Sequence, residues 1–264
     1  MQGAILCYSV TGNTSLVAQR VARALPFPFE VVDITLLPEV DVAAFDVVGF
    51  AVPTDFWGIS QRVSGFIAGL PLQQGRPAFV MNTFGGASGK ALVRLWDAVG
   101  SRGFRVVAGY SVHMPDSYPP LIARGFASSD APSAAELAKL DSFIAKLAAT
   151  LSALGDGHEA PTGRFSLGLV DRLLPERDRS TGLHALGERS VDEQACTRCG
   201  TCLKGCLTGA IRLDPLPVFD ASLCCGCWRC YNRCPSRAIR TKKCAGTPFY
   251  AGPTDALRER MLRA

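Results

Sequence analysis

Five short apolar runs punctuate the first part of the chain: Ala4 to Tyr8, Val31 to Ile34, Val47 to Val52, Ala78 to Met81, and Arg105 to Val112. They are continuous rather than alternating, which is the pattern of strands buried on both faces. Among them lie longer stretches with helical periodicity, clearest over Thr14 to Leu25, Ser88 to Ser101 and Ala134 to Leu154. Strands alternating with helices predict an α/β, doubly wound domain built on a parallel sheet, here over residues 1–155. The periodicity then fades. Residues 156–191, rich in Gly, Pro, Arg and Glu, read as a linker with one short helix around Leu167 to Leu174. A small cysteine-rich module is expected over residues 192–243 and a C-terminal tail over residues 244–264.

Length and charge narrow the picture. At 264 residues the chain accommodates one full α/β domain and a small module that needs staples. The formal net charge is +5, yet residues 1–150 hold eleven Lys and Arg against eleven Asp and Glu. The excess therefore belongs to the C-terminal part, where nine basic residues lie between Cys196 and Lys243 and only Asp214 and Asp220 oppose them. Such a patch suits either anionic groups held by the module itself or an acidic docking partner. Nucleic acid is not expected as a partner, because no helix-turn-helix, finger or stacking-platform pattern accompanies the charge. No stretch approaches 18 uninterrupted apolar residues and no basic leader precedes the first strand, so a protein of the reducing cytoplasm, without a membrane span, is expected.

Eight of the eleven cysteines fall into two runs of C-x2-C-x2-C-x3-C: Cys196, Cys199, Cys202 and Cys206, then Cys224, Cys227, Cys230 and Cys234 followed by Pro235. The first three thiols of such a run can grip three irons of one cubane from a tight loop, while the fourth turns away to serve the other cluster. On that logic Cys196, Cys199, Cys202 and Cys234 hold one 4Fe-4S cluster, and Cys224, Cys227, Cys230 and Cys206 the second. A zinc ribbon would need two pairs of ligands instead. The runs are an internal repeat, since Cys196, Cys206, Ala210, Ile211 and Arg212 recur 28 residues later as Cys224, Cys234, Ala238, Ile239 and Arg240. After each fourth cysteine a short helical turn is expected to lead into a strand, with Ile211 and Ile239 as a core pair around the clusters.

Over roughly Asp192 to Lys243 these features resemble the bacterial-type ferredoxins with two 4Fe-4S clusters. Leu207 departs from that family, which usually has proline after its fourth cysteine. Its N–H is expected to bond within the following turn; aimed at a cluster sulfur instead, it would favour the reduced state. Cys225 reads as a spare thiol or packing residue and Cys7 as a buried strand residue, while Cys244 has no paired spacing.

The turn after the first strand carries Ser9, Val10, Thr11, Gly12, Asn13 and Thr14. Three hydroxyls, a glycine and a row of helix N-terminal amides can cradle one phosphate without a lysine or arginine. Two further loops fall at strand ends on the same side, Val52 to Gly58 and Asn82 to Gly86. Together these motifs resemble the flavodoxins over residues 1 to about 154. The resemblance implies the strand order 2-1-3-4-5 and bound FMN, with Ser9, Thr11, Gly12, Asn13 and Thr14 on its phosphate. It also implies that Pro53, Thr54, Asp55, Phe56 and Trp57, and Asn82, Thr83, Phe84, Gly85 and Gly86, flank the flavin ring. Phe56 and Trp57 are the candidate stacking rings. The acidic residue that usually follows Gly85-Gly86 is missing. Gly85 to Lys90 mimics a phosphate-binding P-loop but lacks its first glycine and final hydroxyl, and no dinucleotide fingerprint follows any strand.

The segment from His113 to Pro132 is long enough to suggest function, and its Met114-Pro115 and Tyr118 resemble a stretch of the proteins that fuse a flavodoxin to a two-cluster ferredoxin. That family implies an electron-transfer protein relaying between FMN and two 4Fe-4S clusters and on to a protein redox partner with an acidic surface. The alternative is an FMN-dependent reductase of a small substrate such as NAD(P)H, a quinone or an organic acceptor, with His113 or Tyr118 as proton donor. His113 reads more simply as a satisfied polar residue at a strand end. Oligomeric state is left open.

Overall fold

The computed structural model describes residues 1–158, 169–175, 183, 187–241 and 249–263. Strands β1 (Gly3–Cys7), β2 (Phe29–Asp33), β3 (Val47–Pro53), β4 (Pro77–Phe84) and β5 (Arg105–His113) form one sheet in the order β2-β1-β3-β4-β5. Every neighbouring pair is parallel. This is the flavodoxin-like order, and the continuous apolar runs explain it: β1, β3 and β4 are buried along nearly their whole length. Successive β1 residues point to opposite faces. Ile5 and Cys7 join helices α1 (Asn13–Ala24) and α5 (Ala134–Gly155), while Ala4, Leu6 and Tyr8 join α2 (Gln61–Gly69) and α3 (Ala91–Ser101); the one-turn α4 (Pro119–Ile122) follows β5. Cys7 is thus a core residue, and burial pushes its thiol far up.

Helix α2 is not expected from the pattern of apolar positions. Only Val63 and Ile67 are buried in it and two glycines interrupt it, so its apolar periodicity is weak; Ser60, accepting from Val63 N, starts it. The expected tail contains a helix, Asp255–Leu262, capped by Thr254. Its Leu257 and Met261 are buried in the same core as α1 and α5, and Arg20 of α1 donates to Met261 O. The described part of the expected linker includes the short helix α6 (Leu169–Leu173), whose Asp171 accepts from Gly89 N.

The cysteine-rich module consists of two antiparallel ribbons, Arg189–Val191 with Ile239–Thr241 and Ile211–Asp214 with Leu216–Phe219. The repeat extends to the backbone. Left-handed residues occur at Arg198 and Gly226, at Gly200 and Trp228, and at Gly209 and Arg237, each pair 28 positions apart. One expectation needs correction: the short helices, Thr201–Lys204 and Arg229–Arg233, precede the fourth cysteines rather than come after them. Each fourth cysteine instead leads into a tight turn, in which Ala210 N and Ala238 N donate to Cys206 Sγ and Cys234 Sγ, both at 3.2 Å. A helix would have taken those amides for its own ladder. Ile211 and Ile239 do share one small core, with Cys202, Trp228 and Tyr231. Lys242, Lys243 and Cys244 lie outside the described residues.

Candidate functional site: strand-end loops and two cysteine cavities

The loops after β1, β3 and β4 meet at the carboxyl ends of the strands, where the strand order reverses between β1 and β3. Ser9 Oγ accepts from Gly12 N and Ser15 N, both at 3.2 Å, and so closes the first loop. Gly12 takes φ 108°, which a side chain would resist, and supplies no side-chain cap to α1. The amides of Asn13 and Thr14 consequently have no partner among the described residues, and the first turn of α1 carries no acidic side chain. That donor set fits a phosphate. Thr14 Oγ1 lies 2.8 Å from Thr83 Oγ1 and ties the first loop to the β4 loop. Asn13 donates to Pro115 O at 2.8 Å and accepts from the Tyr250 hydroxyl. Thr11, in the same loop, is half-buried.

The β3 loop is a tight turn in which Asp55 and Gly58 exchange both backbone hydrogen bonds. Its tip residues, Phe56 and Trp57, both have positive φ, 48° and 67°. Bulky side chains rarely accept this conformation, and such strain gathers at ligand sites. Pro53, Thr54 and Asp55 are half-buried beside them. Asn82 behaves differently from the rest: it is fully buried, with its amide on Thr54 Oγ1 and Ser88 Oγ and its carbonyl accepting from Ser111 Oγ. Its side chain braces the loops instead of reaching into the site. Gly85 is required by a neighbour, since a Cβ there would fall 2.3 Å from Asp116 Oδ2. Asp116 was not singled out in the sequence; burial raises its pKa, against hydrogen bonds from the amides of Tyr118, Ser117 and Gly86. His113 Nδ1 sits 2.8 Å from Glu136 Oε1 and its ring stacks on Phe84. Gly86 is exposed beside them.

The eight cysteines gather around two cavities. One is lined by Cys196, Cys199, Cys202 and Cys234, the other by Cys206, Cys224, Cys227 and Cys230, with the ninth thiol, Cys225, also on its wall. Each cavity thus draws three thiols from one run and the fourth from the other. Among the described residues no three potential ligands converge as they would on a single ion; each quartet is spread around its cavity. The first cavity opens outward at Cys199, which is exposed and whose pKa is lowered by the Thr201 hydroxyl and amide. Two thiols of the second have raised pKa values, as does Cys202 in the first. Burial pushes Cys230 up to about 12, with Arg189 pulling the other way, and Cys227 is raised by its contact with Cys225 and by burial. Thiols in this state bind metal only by releasing their protons.

This second, inner cavity abuts the loops of the first domain. Leu207, Cys225 and Cys227 pack into the core formed with α2 and α3. Arg229 Nη1 donates to Ser9 O and Val10 O at 3.4 and 3.3 Å, and Asn232 Nδ2 to Ser117 O at 2.8 Å. Rings run edge to face from Phe56 through Tyr118 to Trp228, with centroids 5.7 and 5.9 Å apart. Trp228 lines the inner cavity, so this file of rings joins the β3 loop to the cysteines. Leucine at 207 thereby has a packing role that proline's shape would not fill. Arg229, which in the sequence reads as one more surface charge, is half-buried at the junction.

A family model described as a 4Fe-4S binding domain matches residues 217–240. The match includes the second cysteine run, Cys224 to Cys234. The polyferredoxin protein MvhB of Methanothermus fervidus is 38% identical over 50 residues, covering 19% of this chain and 12% of that protein; the chain spans only a small part of that relative. Among solved structures, a flavodoxin from the domain Archaea is 14% identical with a TM-score of 0.42, covering 58% of this chain and 99% of that one. Megasphaera elsdenii flavodoxin is 22% identical with a TM-score of 0.39, covering 55% and 99%. The sheet order of this chain is the stronger observation for the fold. A flavodoxin-like sheet followed by a 4Fe-4S binding domain is the organisation of flavodoxin–ferredoxin fusions. No helix among the described residues is long and apolar enough to cross a membrane.

Proposed function

We propose that this protein is a cytoplasmic electron carrier, relaying electrons between FMN at the strand-end loops and two 4Fe-4S clusters, and on to a protein partner with an acidic surface. The observation that carries the reading is the arrangement of the cysteines: two complete quartets around separate cavities, one of them against the loops. When bound, FMN supplies two-electron storage released in single steps, and each cluster supplies one-electron carriage. The chain's own residues then have separate tasks. The amides of Asn13 and Thr14 and the hydroxyls of Thr11 and Thr14 hold the phosphate; Phe56 and Trp57 offer faces to the ring. Arg229 and Asn232 keep the ferredoxin domain seated on the loops, and Leu207, Trp228 and Tyr231 exclude water from the inner cavity.

Anaerobically prepared protein should contain about eight iron and eight sulfide per chain, from the stoichiometry of two cubanes. Zinc alone, or four iron with all ligands intact, would overturn this reading. The alternative, a reductase of a small substrate, is separated by salt. Arg198, Lys204, Arg233 and Arg237 are exposed around the cysteines, and a carrier would steer an acidic partner with them. Reoxidation of the clusters by such a partner should slow as ionic strength rises, and the salt effect should weaken with charge reversal at Arg233 and Arg237. Fast, salt-independent turnover of NAD(P)H or a quinone, with no protein reacting faster, would favour the reductase.

A further inference from the structure

The inner cavity contains buried donors that the protein leaves unanswered. Arg189 Nε, Arg229 Nε and Trp228 Nε1 are buried and have no hydrogen-bond partner among the described residues, and all three residues line the cavity of Cys206, Cys224, Cys227 and Cys230. Arg189 also places Nη1 2.5 Å from Cys224 Sγ. Neither arginine forms a salt bridge with a described carboxylate. Both arginines are half-buried, but hidden Nε donors left without an acceptor are unfavourable, so a fold that keeps two of them at one cavity points to an anion there. The outer cavity differs. Its arginine, Arg198, is exposed, and none of the residues lining that cavity has a buried unpartnered side-chain donor.

We propose that Arg189 and Arg229 hold the cluster of the inner cavity at a higher reduction potential than the cluster of the outer cavity, making the site beside the flavin loops the electron sink of the pair. The inference rests on the two-cluster reading above. Reduction adds one negative charge to a four-thiolate cluster that is already anionic. Two effects then compete. Burial among Trp228 and Tyr231 disfavours the added charge, whereas fixed positive charge and N–H donors at the sulfurs favour it. At the inner site two full charges and an indole N–H stand against that burial, and the donors hidden from water are less screened than an exposed charge would be. The charge term therefore decides the sign. At the outer site solvent screens Arg198. The Ala238 amide and the Thr201 and Ser236 hydroxyls beside its sulfurs have counterparts at the inner site in the Ala210 and Gly226 amides and the Thr208 hydroxyl, so the arginines are what separate the two. Since Arg229 also grips the Ser9 and Val10 carbonyls, the residue that sets the potential is the one that docks the site on the loops.

The test is a potentiometric titration of anaerobic full-length protein, followed by electron paramagnetic resonance, with iron and sulfide measured on each sample. Arg189→Gln and Arg229→Gln should each lower the potential of one cluster by at least a tenfold change in its reduction equilibrium, about 59 mV for one electron, and leave the other where it was. The signal that moves should be the one that survives in Cys234→Ser, which spares the inner quartet. Movement of the other signal, or no movement with iron intact, overturns the proposal. Should the glutamine variants lose iron, Arg189→Lys decides: retention of the wild-type potential supports a charge effect, and a tenfold fall overturns it. A protein without two clusters would instead remove the two-cluster reading itself, which the iron and sulfide content shows independently.

Discussion

Replacing Cys234 with serine is expected to abolish or convert the cluster of the other run, that of Cys196, Cys199 and Cys202, while the cluster of Cys224, Cys227 and Cys230 persists. Cys234 lines the outer cavity, and Cys206 takes the reciprocal place in the inner one. The physical origin is the tight turn at each fourth cysteine. After the helix Arg229–Arg233 the chain leaves its own loop, Cys234 adopts an extended backbone, and Ala238 N holds the sulfur in place. Serine is a poor substitute for a thiolate that iron requires, so three-iron or empty forms should replace the cubane at one site only. Iron and sulfide contents with resonance spectra of both single variants, Cys234→Ser and Cys206→Ser, check this. Loss of the cluster belonging to the mutated residue's own run would refute the shared assignment.

Thr14→Ala should weaken FMN binding about tenfold or more. A hydroxyl donating to a charged phosphate contributes roughly 1.5–3 kcal/mol, and each 1.4 kcal/mol is a factor of ten. Thr14 has a second function that enlarges the effect. Its hydroxyl meets that of Thr83 at 2.8 Å, and because it is 2% exposed, water cannot readily replace it. Alanine would therefore both remove a donor and leave Thr83 unanswered. Thr83→Ala is the useful control, expected to weaken FMN less because the phosphate donor remains. Fluorescence titration of the apoprotein with FMN measures both; an unchanged affinity in Thr14→Ala, or preference for FAD, would remove the phosphate role from this loop.

Much of this architecture was legible before folding because its signals are local. A run such as Val47 to Val52 needs no partner to announce a doubly buried strand, and the five runs yield the observed sheet. The 2-2-3 cysteine spacing works similarly, since a loop of that length restricts which sulfurs can reach one cubane. Short helices were less legible: the turn after Cys206 reads as helical in the sequence, yet the sulfur of Cys206 claims Ala210 N. Helix α2 left too few apolar positions to register.

Sequence by itself determined the pair of modules, the strand order through its flavodoxin resemblance, and the grouping of cysteines by spacing. Only the tertiary structure decided how the modules meet. Arg229 and Ser9, Asn232 and Ser117, and Tyr250 and Asn13 are each more than a hundred positions apart, and no periodicity links them. Charge is equally silent in one dimension: Arg189, Arg229 and Arg233 look alike in the chain, but the fold buries donors of the first two and leaves the third exposed. Solvent screens an exposed guanidinium, whereas a buried one acts at nearly full strength on whatever shares its cavity. Position in the fold therefore separates charges left in solvent from a pair whose donors line a cavity.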